Sequence, residues 1–335
     1  MNFVYLSRLL RALLLAVAFE SCNAQEITSN ILLLEKSIPL PVKGRIDHLD
    51  VNVKDQIVYV AALGNNTLEA VDLKTGKVNS IKGLDEPQGV AYIPQTKEIL
   101  VANGGTGDCF FYSALSFKKT GIIHLKSDAD DVRYDSASKK IYIGYGEGGI
   151  AIIDAGTHQL LGDIKLPAHP ESFQIDNKLN LLFVNLPDAH MVGVADLKKL
   201  ALVSKWERST PSANFPMALD PGNHRVFVGY RHPAKLIVFD GESGKEISNM
   251  AMTGDADDLY YDEKTSYVYV SGGSGSISIF EYPIKNNSKQ IANISTRTGA
   301  RTSLLIPQLS LFVLAERADD GKPADLLIYK TVKNK

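Results

Sequence analysis

The chain is poor in cysteine. Only Cys22 and Cys109 occur among 335 residues, and Cys22 falls in an N-terminal segment that has the pattern of a signal peptide. Once that segment is removed, Cys109 has no cysteine partner, so an intrachain disulfide is excluded. A domain of this size can bury a core large enough to be stable without one. Because Cys109 begins the run CFFY, we expect it to be a buried small hydrophobic residue rather than a reactive thiol.

An excess of charge of one sign is also absent. The 36 Lys and Arg residues nearly balance the 38 Asp and Glu residues, which leaves a net charge of −2. The basic residues do not gather into a stripe, so we expect no nucleic-acid partner. The glycine-rich runs 146–149 and 272–275 predict hairpin loops rather than phosphate-binding loops. Neither Ser172 nor Ser303 stands in the nucleophile-elbow context of a serine hydrolase.

Apart from the N-terminus, the chain has no long apolar run. Arg8 and Arg11 precede the eight-residue apolar run 12–19, and the segment ends in the small residue Ala24. This pattern predicts a secretory signal peptide over residues 1–24, too short to span a bilayer as a helix. A disordered N-terminus and a lipoprotein signal ending at Cys22 are the alternatives. We therefore expect an exported protein, periplasmic or extracellular, with no transmembrane segment.

What the chain does have is a repeat. No segment after the N-terminus keeps a helical period, whereas an apolar triplet recurs seven times at intervals of 41 to 44 residues. A period near 42 made of β-rich units predicts a β-propeller with one four-stranded blade per repeat. A solenoid is disfavoured because the unit is too long for one coil, and no linker divides the chain into small sandwiches. The triplets are residues 58–60, 99–101, 141–143, 182–184, 226–228, 268–270 and 311–313.

The count of strands predicts how the ring closes. Six units are complete, while the seventh ends after its third strand at residues 326–329. Residues 31–40 precede the first unit without a partner, and we expect them to form the outer strand of blade 7, since an open ring would leave unpaired edges. The predicted fold class is thus all-β, a seven-bladed propeller of antiparallel blades. We assign residues 25–335 to one propeller domain, with blades at about 44–85, 86–127, 128–168, 169–212, 213–254, 255–298 and 299–330.

The first repeat resembles a known family. Its second strand is followed by residues 62–67 (ALGNNT) and 71–77 (VDLKTGK), a pattern similar to the YVTN-type, YncE-like propellers. The resemblance covers residues 31–330, about the whole predicted ring. It implies a seven-bladed propeller and an exported bacterial protein, and it implies no defined activity. Ser113 in blade 2 and the Glu-Tyr-Pro at 281–283 in blade 6 depart from the acidic residue of the repeat, which weakens the expected turns there.

Aligning the seven units reveals variable polar residues just before the first strand of each blade, where the loops of a propeller open on the central channel. A purely structural position would carry similar residues in every blade, as the triplet does. These positions instead carry both signs of charge, so we expect a ligand site at the channel mouth. The predicted lining residues are Arg45, Asp47, His48, Gln88, Asp131, Arg133, His169, Glu171, Arg231, Asp257, Asp258 and Arg301.

Three functions fit this mouth, and the sequence leaves open whether the protein is an enzyme. The preferred hypothesis is a monomeric binding module for a small polar or anionic ligand, or for a protein partner, because arginine forks clamp carboxylates and phosphates. The second is a hydrolase or lyase that uses a divalent cation, and the third is a scaffold for protein contacts. Calcium would favour the aspartates and zinc the histidines. The candidate ligands are Asp128, Asp130, Asp131, Asp257, Asp258, His48 and His169.

A structural role is the alternative for part of this set. The segments 128–131 and 255–258 both read Asp-Ala-Asp-Asp. Aspartates before a strand often cap turns or bond to nearby backbone groups. These segments could therefore join neighbouring blades rather than contact a ligand.

Overall fold

The computed structural model describes residues 30–282, 288–319 and 321–333, so the predicted signal peptide over residues 1–24 lies outside the described residues. Within these ranges, 28 strands form seven four-stranded antiparallel sheets. The first strands of neighbouring sheets contact one another in order, and the last sheet contacts the first. The predicted seven-bladed propeller is confirmed.

Blades 1 to 4 each consist of four consecutive strands. Blade 1 contains β2 (Leu49–Asn52), β3 (Ile57–Ala62), β4 (Thr67–Asp72) and β5 (Val78–Lys82). Blade 2 contains β6 (Pro87–Ile93), β7 (Glu98–Asn103), β8 (Asp108–Ser113) and β9 (Lys119–His124). Blade 3 contains β10 (Ala129–Asp135), β11 (Lys140–Tyr145), β12 (Gly149–Asp154) and β13 (Leu160–Lys165). Blade 4 contains β14 (Phe173–Asp176), β15 (Leu181–Leu186), β16 (Met191–Asp196) and β17 (Ala201–Glu207).

Blades 5 to 7 complete the ring. Blade 5 contains β18 (Ser212–Asp220), β19 (Arg225–His232), β20 (Ala234–Asp240) and β21 (Glu246–Ala251). Blade 6 contains β22 (Ala256–Asp262), β23 (Tyr267–Gly272), β24 (Ser276–Glu281) and β25 (Lys289–Ser295). Blade 7 contains β26 (Thr302–Ile306), β27 (Leu311–Glu316), β28 (Ala324–Thr331) and, on its outer edge, β1 (Leu32–Leu40). Two short 3-10 turns occupy Leu63–Asn65 and Pro187–Ala189.

Strand β1 closes the ring as the sequence predicts. It pairs antiparallel with β28, with a bulge between Leu34 and Lys36. Ile38 and Leu40 are buried in a hydrophobic cluster that blade 7 shares with blade 1. The Lys36 Nζ donates to the Leu73 carbonyl of blade 1 at 3.1 Å. The chain's own beginning therefore supplies the fourth strand of its last blade.

The hydrophobic core lies between the blades rather than inside any one of them. Seven clusters of buried side chains each join two neighbouring blades. A middle strand faces a neighbouring blade on both sides, so consecutive residues are apolar instead of every second one. This explains the triplets: Val58, Tyr59 and Val60 in β3 are all fully buried. No blade can bury its faces alone, so the stability of each depends on its neighbours.

Two strands extend one residue beyond the blade boundaries that were predicted from the sequence. Strand β18 begins at Ser212, before the assigned range 213–254, and β28 ends at Thr331, after the assigned range 299–330. In β18 the ladder is lengthened by a bulge between Asn214 and Met217. In β28 the last residue is held because the Thr331 N–H donates to the Ser310 carbonyl at 2.8 Å.

Ser113 takes over the role of the acidic residue that blade 2 lacks. Its hydroxyl accepts the backbone N–H groups of Leu115 and Ser116, both at 3.3 Å, as the carboxylate of Asp72 does in blade 1. The second departure from the repeat, at 281–283, extends into residues 283–287, which lie outside the described residues.

Cys109 is fully buried in the core between blades 2 and 3, and burial raises the pKa of its thiol. The side chain therefore acts as a small hydrophobic residue, as the sequence indicates. In the described part of the chain, helices long and apolar enough to cross a membrane are absent.

Candidate functional site

A small cavity of about 120 Å³ lies at one end of the central channel, and all seven blades contribute to it. Nine of the twelve residues predicted from the sequence line it. Those nine are Arg45, Asp47, His48, Gln88, Asp131, Glu171, Arg231, Asp257 and Arg301. Three further lining residues were not among the predicted ones, namely Asp130, Ser172 and Phe215. We call this cavity with its twelve lining residues the mouth.

The remaining three predicted residues lie beside the mouth. Arg133 and Asp258 line a larger cavity of about 1330 Å³, to which the inner strands of all seven blades contribute. His169 stands behind the lining, with its Nε2 3.8 Å from Asp130 Oδ2. His48, Ser172 and Asp257 line both cavities and therefore separate them.

A β-bulge that recurs in several blades directs these side chains towards the channel. In β6, β10, β18 and β22 the ladder has a bulge near the start of the strand. A bulge takes a residue out of the ladder and re-aims its side chain. In five blades the residue two positions before the aligned lining position (Gln88, Asp130, Phe215, Asp257 and Arg301) has positive φ. The residues with positive φ are Glu86, Asp128, Ala213, Asp255 and Gly299.

Two arginines at the mouth share one aspartate. Asp257 lies between Arg231 and Arg301: Arg231 Nη2 is 2.5 Å from Oδ1, and Arg301 Nε is 2.7 Å from Oδ2. Arg301 Nη1 also bonds Asp255 at 3.0 Å. The Arg231 guanidinium lies 3.6 Å from the centroid of the Phe215 ring, a cation–π contact. The positive charges of both arginines are thus already matched by carboxylates.

The last aspartate of each Asp-Ala-Asp-Asp segment joins two blades. Asp131 of blade 3 accepts the backbone N–H of Phe173 in blade 4 at 3.4 Å, and it pairs with the Arg133 guanidinium. Asp258 of blade 6 accepts the N–H of Ser303 in blade 7 at 2.7 Å. These bonds support the structural interpretation for Asp131 and Asp258, since they satisfy backbone donors of the neighbouring inner strands.

His48 is surrounded by carboxylates. Its ring nitrogens lie 3.7 to 3.9 Å from oxygens of Asp47, Asp130 and Asp258. Burial lowers its pKa, but the Asp258 carboxylate 3.7 Å from Nδ1 and the charges of Asp47 and Asp131 outweigh burial and raise the pKa well above its ordinary value. His48 therefore carries a positive charge at neutral pH.

His169 is charged for a similar reason. Its Nδ1 donates to the Gly146 carbonyl at 2.7 Å and lies 3.5 Å from Asp128 Oδ2. Burial lowers its pKa, whereas the Asp130 carboxylate 3.8 Å from Nε2, the hydrogen bond to the Gly146 carbonyl and the charge of Asp128 raise it to about 9. The second histidine at the mouth is thus also a cation.

Three carboxylates at the mouth lack hydrogen bonds within the described chain. They belong to Asp47, Asp130 and Glu171, from blades 1, 3 and 4. Oδ1 of Asp130 is completely buried without a hydrogen-bond partner, and Asp47 is only 8% exposed. Burial raises the pKa of Asp47 to about 7 and that of Glu171 to about 8, assisted in both by the charge of Asp130. Buried acceptors are nearly always bonded in folded proteins, so the buried Oδ1 of Asp130 is unusual.

These shifts predict that the protein loses stability as the pH rises. For Asp47, Glu171 and His169 the folded-state pKa lies above the unfolded-state value, so the folded protein binds more protons. Stability then falls between about pH 4 and pH 9. We expect Glu171→Gln to be more stable than the wild type at pH 9 by at least about 1 kcal/mol, with a smaller difference at pH 5. Urea denaturation at both pH values measures this, and a constant difference would contradict it.

The residues considered as metal ligands do not form a ligand set. In residues 30–282, 288–319 and 321–333 there is no group of three or more His, Cys, Asp or Glu side chains that could hold a metal ion. The aspartates and histidines at the mouth instead pair with arginines, with one another or with backbone groups.

Comparisons with known proteins show the fold. No protein-family model matches the chain, and no curated protein matches it either. A chain in the crystal structure of a mitotic checkpoint complex is similar over 96% of this chain and 99% of its own length, with 14% identity and a TM-score of 0.77. Kuenenia stuttgartiensis hydrazine synthase contains a similar chain, with 14% identity, 88% and 99% coverage and a TM-score of 0.75. At this identity the likeness shows the β-propeller fold alone.

Proposed function

We propose that the protein is a binding module that takes a small polar or charged ligand at the mouth. One observation carries the proposal: all seven blades direct side chains to one cavity of about 120 Å³, where three carboxylates lack hydrogen bonds. Concave sites with a few convergent polar groups and shifted pKa values are typical of ligand sites. A β-propeller is consistent with a module that binds or organises other molecules.

The carboxylates without hydrogen bonds argue against a purely structural mouth. An unsatisfied buried polar group destabilises the folded state by about 1–3 kcal/mol. The neighbouring carboxylates Asp131 and Asp258, in contrast, accept backbone N–H groups of the next blade. Groups that destabilise the fold and still face a cavity are expected where a ligand completes their bonding.

The same proposal includes the place where the module works. The N-terminal pattern of Arg8, Arg11 and the apolar run 12–19 supports export, and so does the resemblance of residues 62–77 to YVTN-type propellers. We propose an exported monomer, periplasmic or extracellular, with the signal peptide removed.

Filling the mouth tests where the ligand binds. Gln88 lines the mouth, and its Nε2 donates to Asp128 at 3.0 Å. We expect Gln88→Phe to place a ring over the cavity and to remove ligand binding. In a thermal-shift screen of small polar compounds, a compound at 100 times its Kd stabilises the wild type by about 2.7 kcal/mol. The variant should lose most of that stabilisation.

Gln95→Phe is the matched control, because Gln95 is exposed outside the mouth. It should respond to the compounds as the wild type does. Equal stabilisation of the wild type and Gln88→Phe by every hit would place the binding site elsewhere and contradict the proposal.

A further inference from the structure

The arginines at and beside the mouth are mostly bonded to groups of the protein, so few of their N–H donors remain for an anion. Arg133, Arg231 and Arg301 each bond carboxylates of the protein. Arg231 also donates to the Ala256 carbonyl at 3.0 Å, and Arg133 to the Ser172 hydroxyl at 3.3 Å.

Arg45 is the exception among the mouth arginines. Its side chain is 55% exposed, and its Nη2 is 3.9 Å from Asp47. Only the solvent-exposed guanidinium of Arg45 could therefore bind an anion, because carboxylates already neutralise the guanidinium groups deeper in the channel.

The acceptors, in contrast, are unused. Asp47 is buried and accepts no hydrogen bond from any described residue, and its nearest charged neighbours, Arg45 and His48, are both 3.9 Å away. Oδ1 of Asp130 is fully buried without a hydrogen-bond partner, and the cations nearest to this carboxylate, His48 and His169, both lie 3.8 Å away. Glu171 forms neither a hydrogen bond nor an ion pair with the described part of the chain. All three line the same cavity. What these three carboxylates lack is a donor within hydrogen-bond distance.

We infer that the mouth binds a small organic cation with N–H donors, a primary ammonium or a guanidinium group, through Asp47, Asp130 and Glu171. This inference rests on the proposed function and specifies its ligand. Three acceptors from blades 1, 3 and 4 match the three N–H donors of an ammonium group, and hydrogen bonds between charged partners are the strong ones. Such a ligand would satisfy the groups that the fold leaves unbonded.

The size of the cavity limits the ligand. A water molecule takes about 30 Å³ of liquid volume, so about 120 Å³ holds a group of a few heavy atoms. A methylammonium or guanidinium ion fits this volume. Any larger part of a ligand must extend out of the mouth, either past the exposed Arg45 or into the larger cavity.

Ionisation of Asp47 and Glu171 should make the affinity of the mouth for an ammonium ion depend on pH. Burial raises the pKa of Asp47 to about 7 and of Glu171 to about 8, so both ionise between pH 6 and pH 9. A bound ammonium ion favours their ionised forms, so its affinity should rise over this range. The charged groups that face these two carboxylates are Arg45, His48, Asp130, His169, Arg231 and Asp257.

Calorimetric titration of the purified protein with three salts tests the inference. At pH 8.5 and constant ionic strength, methylammonium chloride should bind at least tenfold more tightly than tetramethylammonium chloride, which has the same charge without N–H donors. Sodium acetate should not bind. The methylammonium affinity should be at least tenfold lower at pH 6. Equal affinity for the two ammonium ions, or no methylammonium binding, would overturn the inference.

Variants then assign the binding to the three carboxylates. Glu171→Gln and Asp130→Asn should each weaken methylammonium binding at least tenfold at pH 8.5. Glu263→Gln removes an exposed carboxylate outside the mouth and should leave the affinity unchanged. Because Glu171→Gln is expected to be the more stable protein at high pH, weaker binding would not reflect unfolding. Unchanged binding in both mouth variants would overturn the assignment.

The inference and the proposed function can fail separately. If acetate or another anion binds and Gln88→Phe abolishes that binding, the mouth is a ligand site but the ligand is not a cation. If methylammonium binds equally well to Gln88→Phe and to the wild type, the cation lies outside the mouth and both proposals fail.

Discussion

Replacing Ile38 by alanine is expected to lower the free energy of unfolding by about 2–5 kcal/mol, the range for deleting a large buried aliphatic side chain. Ile38 is 2% exposed and packs between blades 7 and 1, in the strand that closes the ring. Leu34 lies in the same strand and is 58% exposed. Leu34→Ala should change the stability by less than about 0.5 kcal/mol, which makes it the matched control.

The only tryptophan of the chain reports whether closure stabilises the whole ring. Trp206 of blade 4 packs against Phe183 and Phe239, with ring centroids 5.5 and 5.3 Å apart. Blade 4 is three blades away from blade 7 in one direction round the ring and four in the other. If the ring unfolds as one unit, Ile38→Ala should shift the urea midpoint of Trp206 fluorescence as much as that of far-UV circular dichroism. An unchanged Trp206 midpoint would show that blades unfold independently.

The fold could be predicted from the sequence because its physical cause repeats. Each middle strand lies between two blades, so its apolar triplet appears seven times, from 58–60 to 311–313. The role of β1 followed from a missing strand in the seventh unit, since an unpaired edge would otherwise remain. Both predictions require only the local sequence pattern and the number of strands in each repeat.

The mouth could be predicted only in part. The alignment identified nine lining residues, because the loops before the first strands all open on the channel. It did not show which charges are already paired: Asp257 is held by arginines from blades 5 and 7, and Asp131 and Asp258 bond the next blade. These pairings depend on bulges and side-chain conformations that the ring imposes.

The missed residues show the same limit. Asp130 was predicted as a metal ligand but not as a lining residue, and it directly precedes the predicted Asp131. Ser172 directly follows the predicted Glu171, so both positions were visible in the sequence. Phe215 is apolar, whereas the other six blades carry a polar or charged residue at the equivalent position. Only the structure shows that its ring packs against the Arg231 guanidinium. Counting the arginines as free favoured an anionic ligand. Once their partners are known, the unbonded carboxylates favour a cation instead.

Replacing Asp257 by asparagine is expected to lower the free energy of unfolding by about 3–5 kcal/mol, because it leaves two arginines without their shared carboxylate. The side chains of Asp257, Arg231 and Arg301 are only 14–24% exposed. Solvent therefore cannot replace the lost charge. Asp255 remains nearby, but its side chain is 45% exposed and it cannot neutralise both guanidinium groups.

A double variant separates this electrostatic effect from lost packing. If the cost of Asp257→Asn comes from two unmatched positive charges, adding Arg301→Gln should recover at least about 1 kcal/mol, since coupled neighbours are not additive. Asp188→Asn, at an exposed position outside the mouth, should change the stability by less than about 0.5 kcal/mol. Urea denaturation at pH 7 gives all four values. If the double variant equals the sum of the single ones, Asp257 acts by packing and the arginines are not held by its charge.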